Sequence, residues 1–333
     1  MSNFLITGGA GFIGGNFLLT MVKKYPLDRW ICLDALTYAG DTKKLEPIMG
    51  LDNFRFVKGN ICEKEVVNAL FEEEKFDYVI NFAAESHVDR SIDDPDIFLR
   101  SNLLGVEVLL NAARKYGIKR FHQVSTDEVY GDLPLEGDIS TFTEDSSLHP
   151  SSPYSASKAA ADLLVLAYAR TYNLPISISR CSNNYGPYQY PEKLIPLVIE
   201  RALNNEPVLI YGTGLNLRDW LDVKEHNRAI DLIVRQGRAG QIYNIVGKNE
   251  MQNIEMVKKI LKALQKPESL IQYTKDRAGH DRRYSMDVSK IQKELHWQNE
   301  TNFEESLLST IQWNIDNQEW LKYVGNKQKK GDV

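Results

Sequence analysis

Asn3-Phe4-Leu5-Ile6-Thr7-Gly8-Gly9-Ala10-Gly11-Phe12-Ile13-Gly14 opens the chain with a short apolar strand running straight into spaced glycines, and a helical pattern follows to Lys24. Glycines at 8, 11 and 14 allow a tight turn, close approach of backbone to a pyrophosphate, and close packing of the next helix. The N-terminus of that helix offers its free N–H groups to phosphate. The spacing is G-x-x-G-x-x-G, one residue longer than the most familiar dinucleotide pattern, and it gains weight from the strand before it and the helix after it. Outward from this loop, Trp30-Ile31-Cys32-Leu33 is a second strand ending in Asp34, about twenty residues beyond the glycines. A carboxylate there can accept hydrogen bonds from adenosine ribose hydroxyls and repels a 2′-phosphate, which favours NAD over NADP.

Strand and helix patterns keep alternating: Phe54-Arg55-Phe56-Val57, a helix near 63–74, Tyr78-Val79-Ile80-Asn81-Phe82, a long helix near 95–116, Arg120 to Ser125, a helix from Pro153, and Ile176-Ser177-Ile178-Ser179-Arg180. Such alternation specifies an α/β fold with a doubly wound parallel sheet of Rossmann type. Beyond 181 the regularity loosens. The proline-rich Pro187-Tyr188-Gln189-Tyr190-Pro191-Glu192-Lys193-Leu194-Ile195-Pro196 suits a segment laid across a cleft. A helix and strand over 223–246 return to the sheet, so the two lobes interleave. The expected cofactor domain is 1–181 plus about 220–248. A smaller, mixed α/β substrate-binding lobe takes about 182–219 plus 249–325, and 326–333 is a polar, frayed tail.

Composition narrows the function classes. With 333 residues, 43% apolar and 26% charged, the chain is an ordinary globular protein with room for two lobes. Its net charge of -5, from 40 basic and 45 acidic residues spread along the chain, argues against a nucleic-acid surface. No apolar run approaches the length of a membrane span. Cys32, Cys62 and Cys181 and the six histidines show no metal-ligand spacing, and the odd number of cysteines fits buried thiols in a reducing, cytoplasmic setting.

Two further stretches carry chemistry. Ser125-Thr126-Asp127-Glu128-Val129-Tyr130-Gly131 places a hydroxyl and two carboxylates where a strand gives way to a loop, the edge at which open parallel sheets bind ligands. Two carboxyls in unequal surroundings can act as proton donor and acceptor, although acidic residues after a strand are also common as plain solvated turns. Ser152-Pro153-Tyr154-Ser155-Ala156-Ser157-Lys158 opens a helix with Ser152 as N-cap and Pro153 at its first position. Tyr154 and Lys158 share one face, and an ammonium near a phenol lowers its pKa toward neutrality. Such a pair also arises by chance.

Together the glycine loop, the Tyr154-x-x-x-Lys158 pair and Thr126 resemble the extended short-chain dehydrogenase/reductase superfamily. Within it, Ser125 to Gly131, Ala84-Glu85-Ser86-His87-Val88-Asp89-Arg90-Ser91, Ser182-Asn183-Asn184-Tyr185-Gly186-Pro187 and Arg277-Ala278-Gly279-His280-Asp281-Arg282-Arg283-Tyr284 look like the motifs of the dTDP-glucose 4,6-dehydratases. The likeness runs from about residue 3 to about 315. It implies an NAD site formed by Gly8, Gly11, Phe12, Ile13, Gly14, Asp34, Leu36, Thr37, Asn60, Ile61, Phe82, Ala83, Ala84, Ser86, Ser101, Tyr154, Lys158 and Asn184. It implies a nucleotide-sugar site, most simply for a dTDP-hexose, formed by Ser86, His87, Thr126, Asn183, Lys193, Leu194, Leu209, Tyr211, Arg218, Asn253, Arg277 and His280. The catalytic set it implies is Thr126, Asp127, Glu128, Tyr154 and Lys158, in a homodimer paired through the helices near 95–116 and 153–173. Other readings are a nucleotide-sugar 4-epimerase, which needs no carboxylate pair, and an idle NAD-sensing protein. Asn60, Ser101 and Ala278 depart mildly from the family pattern. Asp222 departs further, and a carboxylate near a bound nucleotide would alter which base or sugar is accepted.

Overall fold

The computed structural model describes residues 1–135 and 140–331, with side chains described through residue 325. Strands β1 (Asn3–Thr7), β2 (Arg29–Asp34), β3 (Phe54–Lys58), β4 (Tyr78–Asn81), β5 (Arg120–Thr126) and β6 (Ile176–Cys181) form a parallel sheet with β10 (Gln241–Ile245). The order is β10-β6-β5-β4-β1-β2-β3, so the winding reverses between β1 and β4. The crevice beyond the carboxyl ends of those two strands is the ligand edge of such a sheet.

Both faces are buried because every crossover lays a helix on one of them. Alternate residues therefore feed different cores. Phe4 and Ile6 of β1 join Trp30, Phe17 and Ile230 on one side, while Leu5 joins Ile31, Val79 and Phe121 on the other. Phe4 stacks on Trp30 at 4.3 Å and on Tyr78 at 4.7 Å, locking three neighbouring strands in register. The helix Val223–Gln236 packs Ile230 and Val234 against this face before β10 closes the sheet beside β6.

The rest forms two smaller sheets. One holds β7 (Asn183–Tyr185), β9 (Leu217–Asp222) and β11 (Glu250–Gln252); the other pairs β8 (Val208–Tyr211) with β12 (Ile271–Thr274). Their core is built with helices Leu194–Leu203, Asn253–Ala263 and Phe303–Asp316.

Three expectations change. The helix read as continuous near 95–116 contains a π turn at Arg100–Leu104. The end read as frayed from 326 belongs to a helix, Gln318–Gly331, and only residues 332 and 333 of it lie outside the described residues. Asp222, read as a carboxylate near the nucleotide, instead caps the Val223–Gln236 helix, accepting from Lys224 N at 2.7 Å, and takes a hydrogen bond from Ser306. Among the described residues no helix is long and apolar enough to cross a membrane.

The glycine loop is fixed by backbone contact. Gly8 has φ +68°, and a Cβ there would stand 2.5 Å from the Ala83 nitrogen. Gly8→Ala is thus expected to cost about 1–3 kcal/mol through left-handed strain and collision. A thermal melt of the purified variant should show a loss of several degrees.

Candidate functional site

A cleft of about 800 Å³ follows the carboxyl ends of the main sheet from Asp34 to Lys193. Asp34 is buried, and its carboxylate accepts from Ala10 N and Leu36 N, each at 2.8 Å. It thereby holds the glycine loop while still facing the cleft, and a carboxylate retains lone pairs for ribose hydroxyls. The pyrophosphate place is defined by exclusion. A Cβ on Gly14 would lie 2.6 Å from the Gly8 carbonyl, so the helix Phe12–Lys24 begins close enough for its N–H groups to face the cleft. Small residues Ala83 and Ala84 and the polar Asn60 and Ser101 continue the wall. This donor set and shape fit NAD.

The reactive end is built where β5 stops. Thr126 is the last residue of the strand and caps the single turn Asp127–Val129, its Oγ1 accepting from Glu128 N at 3.3 Å. The same hydroxyl donates to Asp127 Oδ1 at 3.1 Å and is close enough to the Tyr154 phenol to draw its pKa down. Tyr154 is delivered by the helix Pro153–Tyr172, whose start is secured by a Ser152/Ser155 capping box. The Ser91 hydroxyl accepts from Tyr154 N, and Ser157 Oγ donates to the Tyr154 carbonyl. Ser157 in turn accepts from Asn102, which also bonds both backbone groups of Glu85. The π turn is what brings Asn102 inward, a local rearrangement common near functional sites.

Burial sets the electrostatics. Asp127 is pushed up to about 8, first by loss of water and then by the neighbouring Glu128 charge. Glu128 is also raised by burial, but Arg277, Arg218 and Lys193 each draw it back down. The pair is therefore unequal, with Asp127 the protonated member near neutrality. Tyr154 behaves differently from the expectation of a lysine-activated phenol. Burial, Glu128, Cys181 and Asp127 hold its pKa well above the usual phenol value, and only the Thr126 hydroxyl opposes them. Lys158 Nζ donates to the Val124 carbonyl at 2.7 Å, and burial lowers its pKa.

Of the cofactor residues read from sequence, all but Leu36 line the cleft; Leu36 turns away at φ +55° and gives its N–H to Asp34. Of the substrate residues, Ser86, Thr126, Asn183 and Lys193 line it. His87 instead caps the helix Val88–Asp93, its Nδ1 accepting from Arg90 N, and Leu194 starts the next helix. Leu209 and Tyr211 sit on the exposed face of β8. Near them Arg277 lies 3.7 Å from Asp89, and the Tyr211 hydroxyl donates to Asp89 at 3.4 Å. His280 bonds Asp276 at 2.7 Å, and Asn253 begins its helix with its N–H on the Asn216 carbonyl. Arg218 is buried, spending its guanidinium on the carbonyls of Leu217 and Asp281 and lying 4.5 Å over the Tyr284 ring. Arg282 and Arg283 are in ion pairs with Asp132 and Glu250.

Sequence reasoning passed over Glu85, Tyr188, Gln189 and Glu192, which also line the cleft. The proline-rich segment was the available signal for the last three. Glu192 accepts from the Tyr38 hydroxyl at 2.9 Å across the fold.

Residues 5–310 match the family model described as GDP-mannose 4,6 dehydratase. A dTDP-glucose 4,6-dehydratase of Xanthomonas campestris pv. campestris (strain B100) is 48% identical, over 97% of this chain and 96% of its own. The solved dTDP-glucose 4,6-dehydratase DesIV of Streptomyces venezuelae, with NAD bound, is 43% identical with a TM-score of 0.93, covering 97% of this chain and 99% of that one. A UDP-glucose 4-epimerase of Thermotoga maritima, solved with UDP-glucose, superposes at a TM-score of 0.87 with 28% identity, covering 95% and 99%.

The raised Asp127 pKa is a stability statement. The folded state binds more protons than the unfolded chain between the ordinary aspartate value and about 8. That contribution is fully present below the unfolded pKa and lost as pH rises through about 8. Asp127→Asn removes it, so the variant's melting temperature relative to the parent should climb by several degrees between pH 5 and pH 8.5. A pH series of melts checks the sign.

Proposed function

This chain belongs to the family described as GDP-mannose 4,6 dehydratase, and from that premise we propose that it is an NAD-dependent hydro-lyase converting dTDP-glucose to dTDP-4-keto-6-deoxyglucose and water. The observation that carries the reading is the unequal carboxylate pair, Asp127 and Glu128, beside Thr126 and Tyr154. A 4-epimerase has no use for such a pair.

NAD when bound supplies a hydride acceptor for the sugar C4, a donor for C6, and a positive ring that favours the nearby phenolate. Thr126 holds the C4 oxygen, and Tyr154 receives the C4 hydroxyl proton. Lys158 fixes the nicotinamide ribose and the end of β5. The ketone at C4 acidifies C5–H, which Glu128 removes while Asp127 donates its proton to the departing C6 hydroxyl. Reprotonation at C5 completes the product. The cations Arg218, Arg277 and Lys193 answer the charge of a nucleotide diphosphate and oppose the rise in the Glu128 pKa that burial causes.

In the same reading, 1–181 with about 220–248 serves the cofactor, and about 182–219 with 249–325 serves the sugar nucleotide. This is supported by the separate cores of the seven-stranded and smaller sheets. A homodimer is supported by the exposed Leu99, Leu104 and Leu163 on the helices proposed to pair. Cytoplasmic residence is supported by three free thiols.

Incubation with a panel of nucleotide hexoses in heavy water, read by mass spectrometry, tests the activity. Loss of one water with deuterium gained at C5 is the expected result; an isomer of unchanged mass would replace this reading with epimerisation. Asp127→Asn should still reduce bound NAD with substrate but release water about 10²–10⁴-fold more slowly. In the parent, dehydration should fall at low pH as Glu128 gains its proton and above about pH 8 as Asp127 loses its own, and rapid-quench rates across pH should show both limbs.

A further inference from the structure

The helix Gln318–Gly331 is the last element of the chain, yet it meets two segments that border the cofactor end of the cleft. Trp320 Nε1 donates to Asp41 Oδ2 at 2.8 Å. Asp41 is buried, and its own N–H donates to the carbonyl of Ala10 in the glycine loop at 3.0 Å. The residues just before it, Thr37, Ala39 and Gly40, line the cleft. Two residues further on, Lys43 Nζ stands 3.6 Å over the Tyr323 ring, so helix and loop are joined twice.

The second segment is the proline-rich stretch. Tyr188 lines the cleft, and its ring meets Trp313 edge-on at 4.7 Å and Trp320 at 5.4 Å. The Tyr190 hydroxyl donates to the Val324 carbonyl at 3.2 Å. The two bordering segments also touch each other, with Tyr38 against Tyr190 at 5.4 Å and Tyr38 bonded to Glu192. Trp320 thus contacts both, from behind, without itself lining the cleft.

The chemistry gives such an arrangement a task. One cofactor molecule serves both an oxidation and a later reduction of the same sugar, so its escape between the two strands a keto intermediate. We propose that the C-terminal helix is a latch on the cofactor cleft, with Trp320 as a positioning residue that holds the 37–41 and 188–190 segments together and slows NAD release. This rests on the reading above that NAD is regenerated within each turnover.

The test measures NAD release from purified holoenzyme by dilution into a coupled NAD-consuming trap, for the parent, Trp320→Ala and Trp320→Phe. The phenylalanine variant keeps a ring for Tyr188 but lacks the N–H to Asp41. Trp320→Ala should release NAD about tenfold faster or more, as expected for a lost hydrogen bond to a carboxylate plus lost packing. Trp320→Phe should fall between it and the parent. With saturating NAD, kcat should stay within about twofold while the apparent KM for NAD rises, and more of the keto intermediate should be found free in solution. Parental release from folded Trp320→Ala overturns the proposal; if that variant does not fold, parental release from Trp320→Phe does. A parent that holds no NAD overturns the functional reading instead, and that is visible before any variant is compared.

Discussion

Two carboxyl groups at adjacent positions, both taken out of water, cannot both carry charge without large cost. That constraint at Asp127 and Glu128 ties the parts of this molecule together. The main sheet ends β5 at Thr126 and turns the chain at once, so the two side chains start from a rigid base. The smaller sheets supply the asymmetry: Arg218 comes from β9 and Arg277 from beyond β12, and both pull Glu128 down. Asp127 feels only Arg218 and the Thr126 hydroxyl against its burial, and keeps its proton. Asp127 and Glu128 are therefore distinguished by the packing of the smaller sheets against the main one. Their difference is a property of the tertiary structure, since nothing in the dipeptide itself sets it.

The main sheet was legible because its signals are local and mutually consistent. An apolar strand, spaced glycines and a helix start can be read within residues 3–24, and β/α alternation then leaves few topologies. What escaped has a common physical cause in long-range contact. The π turn at 100–104 leaves the apolar periodicity of 95–116 almost unchanged, and its reason, Asn102 bonding Glu85 and Ser157, spans distant segments. Asp222 reads as an unusual charge beside a strand, but capping a helix and bonding Ser306 are visible only once Phe303–Asp316 has packed. The helix Gln318–Gly331 went unread because its anchor, Trp320 against Tyr188 and Asp41, lies far off in sequence. For the site, the glycine loop and the carboxylate pair were readable as motifs. Glu85 stands in the cleft wall through backbone bonds to Asn102, a partner that only the folded chain brings near.

Tyr154 and Lys158 show how far a spacing argument reaches. Four residues on a helix do put both side chains on one face. Contact between them is a further matter, decided by what lies beneath that face. Here it is the end of β5, whose Val124 carbonyl takes the Lys158 ammonium while Thr126 takes the phenol. Both residues meet the same strand end, and the Lys158 bond to Val124 ties the helix to the strand.

The proton on Asp127 then does two things. Glu128 and Asp127 both raise the Tyr154 pKa by their charge, so in the proposed mechanism the carboxylates assigned to elimination oppose the tyrosine assigned to oxidation. An ionised Asp127 would add a second negative charge beside a phenol that must become negative itself. Because burial keeps Asp127 neutral near pH 7, that opposition is reduced to the charge on Glu128, which the arginines partly cancel. In the proposed mechanism, neutrality at one residue both supplies the acid for water loss and removes a barrier to the step before it. On that proposal, the cost of burying the pair is what makes oxidation and elimination compatible in one cleft.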